Sequence, residues 1–547
     1  MSALVVLLLI AMQSDSAGLV AHARRAAWDF ERARLWLVLP GGAHGGLCEA
    51  RIGRFCYWSD PADTLLPAEP PRVGERRTRL LAVLDSTARA LPGDGWVAGQ
   101  RVRYLLEAGQ ADSAAAAARA CRAARWWCAA LEGLAWQVGQ DFDDAAHAFD
   151  AALQAMPEEE RCRWTDLSDL LEGPARRRYR SLSCAERQGV DARLWWLAQP
   201  FWWMPGNDRR TEHFARLTMA RLLEDAPSPY GPWGDDEREL IVRYGWPLAW
   251  ERDERGATHD PIAIGFDAEP GWHFVPDFPS LDVPALGDAP GALDERGARE
   301  RYAPAWARAF TLLEPDFAAF RRGDSTVVVA TWDMTGDKAF RAAGYAAALA
   351  LARDERSPPV VSPLSAARPT GALVATAPWA PALASLELYA PASRAAARAR
   401  AALAPPAGPV GLSGILLFDP ADSLPADLPA ALARVHAGGI RTGERIGLYW
   451  EAYGLAAGTD VPTAVTVAAS HTSWLRRLAA AIGLASRAGR VRLEWHEVTQ
   501  PPRGSASRAL VIDLAGLAAG RYQVDVTISP PGRASVTSSR LINVIGR

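Results

Sequence analysis

The feature that most constrains this chain is a change of period partway along it. Up to about Glu224, apolar residues recur three and four apart, as they do on helix faces. From Ser325 onward they alternate or run for strand lengths between Pro, Gly and Asp clusters. One core does not accommodate both patterns over 547 residues, so a multidomain chain, α then β, of three or so domains is expected. Phe201 to Pro247 separates the two textures: FWWMPGNDRRTEHFARLTMARLL, a loop rich in Pro and Gly, then PWGDDERELIVRYGWP.

Composition narrows the function classes. Apolar content of 49% and charged content of 22% suit globular protein, and a formal charge of −3 lacks the basic excess of a nucleic-acid binder. Lys338 is the only lysine, so clustered arginines carry little weight as a chemical signal. The chain opens MSALVVLLLIAMQSDSAG, whose apolar run from Ala3 to Met12 is of signal-peptide length and too short to span a bilayer. Residues 1–18 are therefore expected to be a leader of an exported protein, periplasmic or extracellular, with no transmembrane helix in the mature chain.

All six cysteines lie between Cys48 and Cys184. They come as sequence-near couples, Cys48 with Cys56, Cys121 with Cys128 and Cys162 with Cys184, each able to close a short loop in an oxidising compartment. Six cysteines allow fifteen connectivities, and spacing alone does not choose among them. No CxxC or Cys/His zinc spacing occurs, so neither a metal nor a cofactor is expected.

In the helical region, His22 to Leu39 reads as a helix with Trp28, Ala33 and Trp36 near one face. Within Ala129 to Pro157, the residues Gly133, Trp136, Ala145, Phe149, Ala152 and Pro157 fall at the small, aromatic and terminating positions of a helical pair. This resembles a tetratricopeptide repeat, and Tyr104 to Ala120 resembles a degenerate neighbour through Gly109 and its alanines. Short helices are expected from Cys162 to Trp196.

In the junction, Asn207 or Asp208 can cap a helix whose apolar face is Phe214, Leu217, Ala220 and Leu223, with Arg209, Glu212 and Arg216 opposite. Glu237 to Tyr244 alternates and reads as a short strand. The order FW, a Pro–Asn–Asp turn, an E-x-F-x-R helix and a W-x-D element leading to RYG-x-P resembles the GWxTD domain family over roughly Trp195 to Glu251. The namesake motif here reads Gly231-Pro232-Trp233-Gly234-Asp235-Asp236, with Gly and Thr displaced. The resemblance implies a bacterial, exported protein with helical repeats, a strand-rich tail and no assigned activity.

Beyond the junction, residues 301–320 read as a short helical lead-in. STVVVATWDM, YAAALALARD, GALVATAPW and ASLELYAP read as strands, RAAARARAAL as strand or helix, then VGLSGILLF, RIGLYWEAYG and TAVTVAAS as further strands. Alternation is clearest around Val491–Trp495 and Tyr522–Ile528, and Leu517–Tyr522 resembles the edge turn of extracellular β-sandwiches. Two adjoining sandwiches, or one with an insertion at Trp474 to Ser486, fit the strand count. The expected boundaries are a tetratricopeptide-like helical region at 19–190, a mixed α/β GWxTD-like junction at 191–300, an Ala-rich β-sandwich-like domain at 301–405 and a C-terminal β-sandwich domain at 406–547.

Candidate chemistry concentrates in the junction. Asp208, His213, Asp235, Asp236 and Glu237 supply paired carboxylates and an imidazole, the groups for cation binding or acid–base work. Each also has a plain structural use as a cap or a helix-surface group. His259, Asp260, Asp267 and His273 match no metal spacing, and no G-x-S-x-G elbow, P-loop or H-E-x-x-H occurs. Trp202, Trp203, Trp233 and Trp246 would make stacking platforms if exposed and core if buried. The sequence thus favours a non-enzymatic interaction or scaffold protein with a protein or peptide partner and envelope association, and no nucleic acid. Its rivals are an envelope-polymer hydrolase using His213, Asp235 and Asp236, and a carbohydrate-binding protein using exposed tryptophans.

Overall fold

The structure, a computed structural model, describes residues 3–39, 48–57, 68–226, 232–253, 262–266, 271–276, 300–314, 316–341, 344–403, 409–470, 490–498 and 505–546. Those up to Arg308 form one compact unit and those from Ala309 onward a second. Trp474 to Ser486, His259, Asp260 and Asp267 lie outside the described residues.

The first unit is helical. Helix α1 runs unbroken from Ala3 to Leu37, followed by a hairpin of β1 (Ala50–Ile52) and β2 (Phe55–Tyr57). Then come α2 (Pro71–Ala90), α3 (Gly95–Glu107), α4 (Ala111–Ala120), α5 (Arg125–Val138) and α6 (Phe142–Ala155). The series continues with α7 (Glu158–Trp164), α8 (Gly173–Ser181), α9 (Cys184–Ala198), α10 (Asp208–Glu224) and α11 (Asp235–Tyr244). A small hairpin of β3 (Ala249–Asp253) and β4 (Ile262–Phe266) follows.

Local sequence explains the helix ends. Asp94 accepts from the Val97 amide, Asp141 from Asp144, and Ser183 with Glu186 forms a capping box on α9. The α3–α4 and α5–α6 pairs are helical hairpins packed side by side. Gly133 is where α5 and α6 come closest, since a Cβ there would stand 2.8 Å from the Phe149 ring. The six cysteines form the three sequence-near couples, with Cα–Cα distances of 5.5, 5.7 and 5.8 Å.

Three expectations for this unit are corrected. Glu237 to Tyr244 belongs to α11, because Glu237, Ile241 and Tyr244 are buried at helical spacing and acids precede a terminal Arg243, as the helix dipole favours. The alternation seen in eight residues was compatible with both periods. On α1 the buried face is Ala23, Ala27, Phe30, Glu31, Arg34 and Val38, while Trp28 and Trp36 are 55% and 64% exposed. On α10 the interior takes Arg209 and Arg216 as well as the apolar stripe, and Leu222 rather than Leu223 is fully buried. That helix packs against α3, α5, α6, α9 and α11, which leaves little of it for solvent.

The second unit is β. Its first part holds β5 (Ala309–Leu312), β6 (Phe317–Arg322), β7 (Ser325–Asp333), β8 (Tyr345–Ala352) and β9 (Val360–Val361). It ends with β10 (Ser365–Ala367), β11 (Thr370–Pro378), β12 (Ala382–Ala390) and β13 (Ala395–Leu403). A sheet ordered β10-β8-β12-β13-β5, with β9 beside β8, shares a core with the sheet β11-β7-β6. That core is largely alanine facing Leu349, Leu386, Leu388 and Trp332, small residues against large ones. RAAARARAAL is strand β13. Residues 309–312 and 317–322 are strands, not a helical lead-in: β5 pairs in parallel with β13 and β6 pairs with β7. The β5 partner is remote in sequence, whereas β6 and β7 form a tight hairpin through Gly323 and Asp324.

The second part holds β14 (Gly411–Leu412), β15 (Leu416–Phe418), β16 (Ile440–Arg441), β17 (Arg445–Tyr453) and β18 (Asp460–Ala469). It continues with β19 (Arg490–Val498), β20 (Ser505–Asp513), β21 (Gly520–Ile528) and β22 (Val536–Ile545). Strands β14 and β15 pair with β17, which also pairs with β20, and this sheet faces β16-β22-β21-β18-β19 across a second core. At the edge turn the Tyr522 hydroxyl donates to the Ala518 carbonyl at 3.0 Å. VGLSGILLF is broken at Ser413–Gly414. There the Gly414 amide donates to the Ala319 carbonyl of β6 at 2.9 Å, and a Cβ would lie 2.7 Å from the Ala318 Cα. The two sandwiches share a third cluster, Phe320 and Val329 against Phe418 and Tyr449.

Candidate functional site

The junction helix α10 begins at Asn207, whose side chain accepts from the Arg210 amide and donates to the Trp195 carbonyl at 2.7 Å. With Asn207 as the cap, Asp208 is free for another use. Its carboxylate is buried and accepts from the Tyr302 hydroxyl and the Trp306 indole, both at 2.9 Å. Burial raises its pKa to about 6 against the pull of those two hydrogen bonds.

One residue on, Arg209 has no accessible surface. Its Nε donates to Glu300 Oε2 at 3.0 Å, and the other Glu300 oxygen accepts from the Phe274 and Val275 amides at 2.8 and 3.0 Å. Glu300 is thus a fully buried carboxylate with both oxygens occupied, the condition for a buried pair to persist. Further along, Arg216 points at the C-terminal end of α11. It donates to the Val242 and Arg243 carbonyls at 3.3 and 2.9 Å and to the Arg301 carbonyl at 2.8 Å, while Glu212 accepts from its Nε. A guanidinium on unsatisfied terminal carbonyls closes that helix end.

His213 sits between these arginines, fully buried, with its ring 5.0 Å from that of Trp195. Among the described residues, neither ring nitrogen has a hydrogen-bond partner. Burial first, and the Arg209 and Arg216 charges second, hold its pKa well below the ordinary histidine value, so the imidazole is neutral. No carboxylate orients it as an acid–base catalyst requires.

Asp236 and Glu237 are engaged elsewhere. The Cys48–Cys56 hairpin lies against the start of α11, where the Arg54 amide donates to Asp236 Oδ2 at 3.2 Å. The Arg54 guanidinium reaches Glu237 at 3.3 Å and the Pro232 carbonyl at 2.8 Å. Tyr57 stacks on Tyr244 with ring centroids 3.8 Å apart. Asp235 is exposed at the same helix start. Among the described residues, no group of three His, Cys, Asp or Glu is placed to hold a metal ion.

The tryptophans divide by burial. Trp202 stacks on Trp196 within 6° of parallel, yet both are buried, and the Trp202 indole donates to the Trp196 carbonyl. Trp203, Trp233 and Trp246 are half-buried. The coplanar pair is therefore core and not a sugar platform.

Two polar centres lie outside the stretch singled out by sequence. In the first unit, Glu31 and Glu107 pair with the buried Arg34 and Arg103, and the Tyr104 hydroxyl donates to Glu31 at 2.7 Å. In the second, buried Glu451 takes a two-pronged contact from Arg322 at 2.6 and 2.8 Å and hydroxyls from Tyr449 and Tyr453. RIGLYWEAY reads as a strand, but nothing near Glu451 in sequence announces its arginine, more than a hundred residues away.

No family model matches the chain, and no curated protein matches it either. Among solved structures, red sea bream transglutaminase is similar at 12% identity over 43% of this chain and 31% of its own, with a TM-score of 0.14. The fibronectin domains FN1–FN3 of chicken CNTN1 are similar at 10% identity over 43% and 69%, with a TM-score of 0.15. Dimeric latent PorU from Porphyromonas gingivalis is similar at 13% over 43% and 20%, with a TM-score of 0.19. The chain thus spans a third or less of the transglutaminase and of PorU. Scores this low support no argument about activity.

Proposed function

We propose that this is an exported, non-enzymatic interaction or scaffold protein that engages a protein or peptide partner at the cell envelope. The observation that carries the reading is the use made of the junction's polar residues. Asp236 and Glu237 hold Arg54, Asp208 holds Tyr302 and Trp306, and His213 is buried with no hydrogen bond to its ring among the described residues. Of the hydrolase candidates only Asp235 is exposed, which leaves that reading without a paired acid and base. Three couples of neighbouring cysteines at bonding distance suit an oxidising compartment and support export. The side-by-side hairpins α3–α4 and α5–α6 support the tetratricopeptide-like reading, and with it a peptide-binding role. A divergent GWxTD membership remains part of this proposal.

The test is affinity capture from envelope extract with the mature protein as bait, followed by reconstitution with the purified partner. A defined protein that rebinds in the pure system supports the scaffold. Recovery of glycan alone, or release of soluble fragments from purified envelope polymer that His213→Ala abolishes, overturns it.

A further inference from the structure

We propose that the outward face of α1 seats on an anionic lipid surface. The inward face of this helix is fully used: Ala23, Ala27 and Phe30 pack with Leu80, Leu84 and Tyr104, and Glu31 and Arg34 join the buried ion pairs. The outward face has a different character. Trp28, Trp36 and Leu39 are 55%, 64% and 55% exposed, and Arg25 and Arg32 are exposed with them. At helical spacing the four within the helix, Arg25, Trp28, Arg32 and Trp36, fall within about a quarter-turn of one another, and Leu39 lies just past its end. Asp29 borders the stripe as its only acid among residues 16–39 outside the core.

Indoles beside guanidiniums, on one face of a helix anchored by its other face, match the chemistry of the bilayer interface. The ring body enters the headgroup region, its N–H stays with polar groups, and each arginine meets a phosphate. A second copy of this chain is a poor occupant, because self-pairing of the stripe sets Arg25 and Arg32 against their own kind. No described helix is long and apolar enough to cross a membrane. This inference does not rest on the scaffold reading, so failure to capture a protein partner leaves it standing.

The test is co-sedimentation of the full chain with phosphatidylcholine vesicles prepared with and without phosphatidylglycerol, monitored also by tryptophan emission. Binding to the anionic vesicles, weakened by salt and accompanied by a shift of emission to shorter wavelength, is expected. W28S/W36S and R25Q/R32Q should each lower the partition coefficient by about tenfold while leaving the thermal midpoint unchanged. No binding, binding indifferent to both stripe variants, or a dimer that the stripe variants dissociate would each overturn the proposal.

Discussion

Arg209 and Glu300 face each other with no accessible surface on either side chain, the guanidinium Nε 3.0 Å from the carboxylate oxygen. Removing one partner leaves a buried charge without compensation. Arg209→Met is expected to destabilise the first unit by about 3–5 kcal/mol in denaturant unfolding. Arg209→Met combined with Glu300→Gln should recover part of that loss, because the neutral amide oxygen still accepts from Phe274 and Val275. A double variant as unstable as the single one would refute the charge argument.

His213 and Asp208 give the junction opposite responses to pH. A histidine whose folded pKa is depressed binds its proton in the unfolded chain first, so stability falls as pH drops below about 6.5. His213→Phe should flatten that acid-side slope in unfolding measured from about pH 7 down to about pH 5.

Asp208 has the contrary sign. Its folded pKa, raised to about 6, means that the stabilising protonated form is lost as pH rises through that value. Asp208→Asn keeps an acceptor for Tyr302 and Trp306 without the charge. It should raise unfolding free energy more above about pH 7 than below about pH 5, by on the order of 1–3 kcal/mol. Equal effects at both ends would remove the carboxylate from the explanation.

Gly53 has φ +53°, and a Cβ there would stand 2.5 Å from the Asp236 Cβ. Gly53→Val is therefore expected to lift the Cys48–Cys56 hairpin from α11, read as faster amide exchange over residues 48–57. Cys48→Ser with Cys56→Ser should do the same at a cost of about 2–3 kcal/mol. Unchanged exchange in both variants would show that Tyr57 on Tyr244 holds the hairpin alone.

At the helical pair, Gly133→Leu should destabilise by about 1–3 kcal/mol by forcing the Phe149 ring aside. Adding Phe149→Ala should relieve it, with the coupling measured by a double-mutant cycle.

Periodicity over long windows was legible from the sequence, and so was chemistry between neighbours. The α-then-β order, the α5–α6 pair around Gly133 and Phe149, the cysteine couples and the strands β7, β8, β12 and β21 follow from residues near one another in the chain. What escaped notice depends on remote partners. Arg209 and Arg216 read as a solvent face because Glu300 and the α11 carbonyls that receive them lie well downstream. Residues 301–320 read as a helical lead-in because β13, which makes 309–312 a strand, lies far downstream, although the hairpin of β6 with β7 through Gly323 and Asp324 is a local feature. Glu237 to Tyr244 fitted two periods over eight residues, and only burial chose between them. At the candidate site the residue types were recognised but their assignments were not. Asp236 was visible as a carboxylate, whereas its partner Arg54 lies 182 positions earlier with no motif to announce it.

The cysteine couples are consecutive along the chain: the first pairs with the second, the third with the fourth, the fifth with the sixth. A polypeptide threaded N-terminus first into an oxidising space presents each thiol's native mate before any thiol of the next couple. The order of arrival is then the order of bonding. For a chain exported as proposed, oxidation during passage would yield the native set without reshuffling by an isomerase.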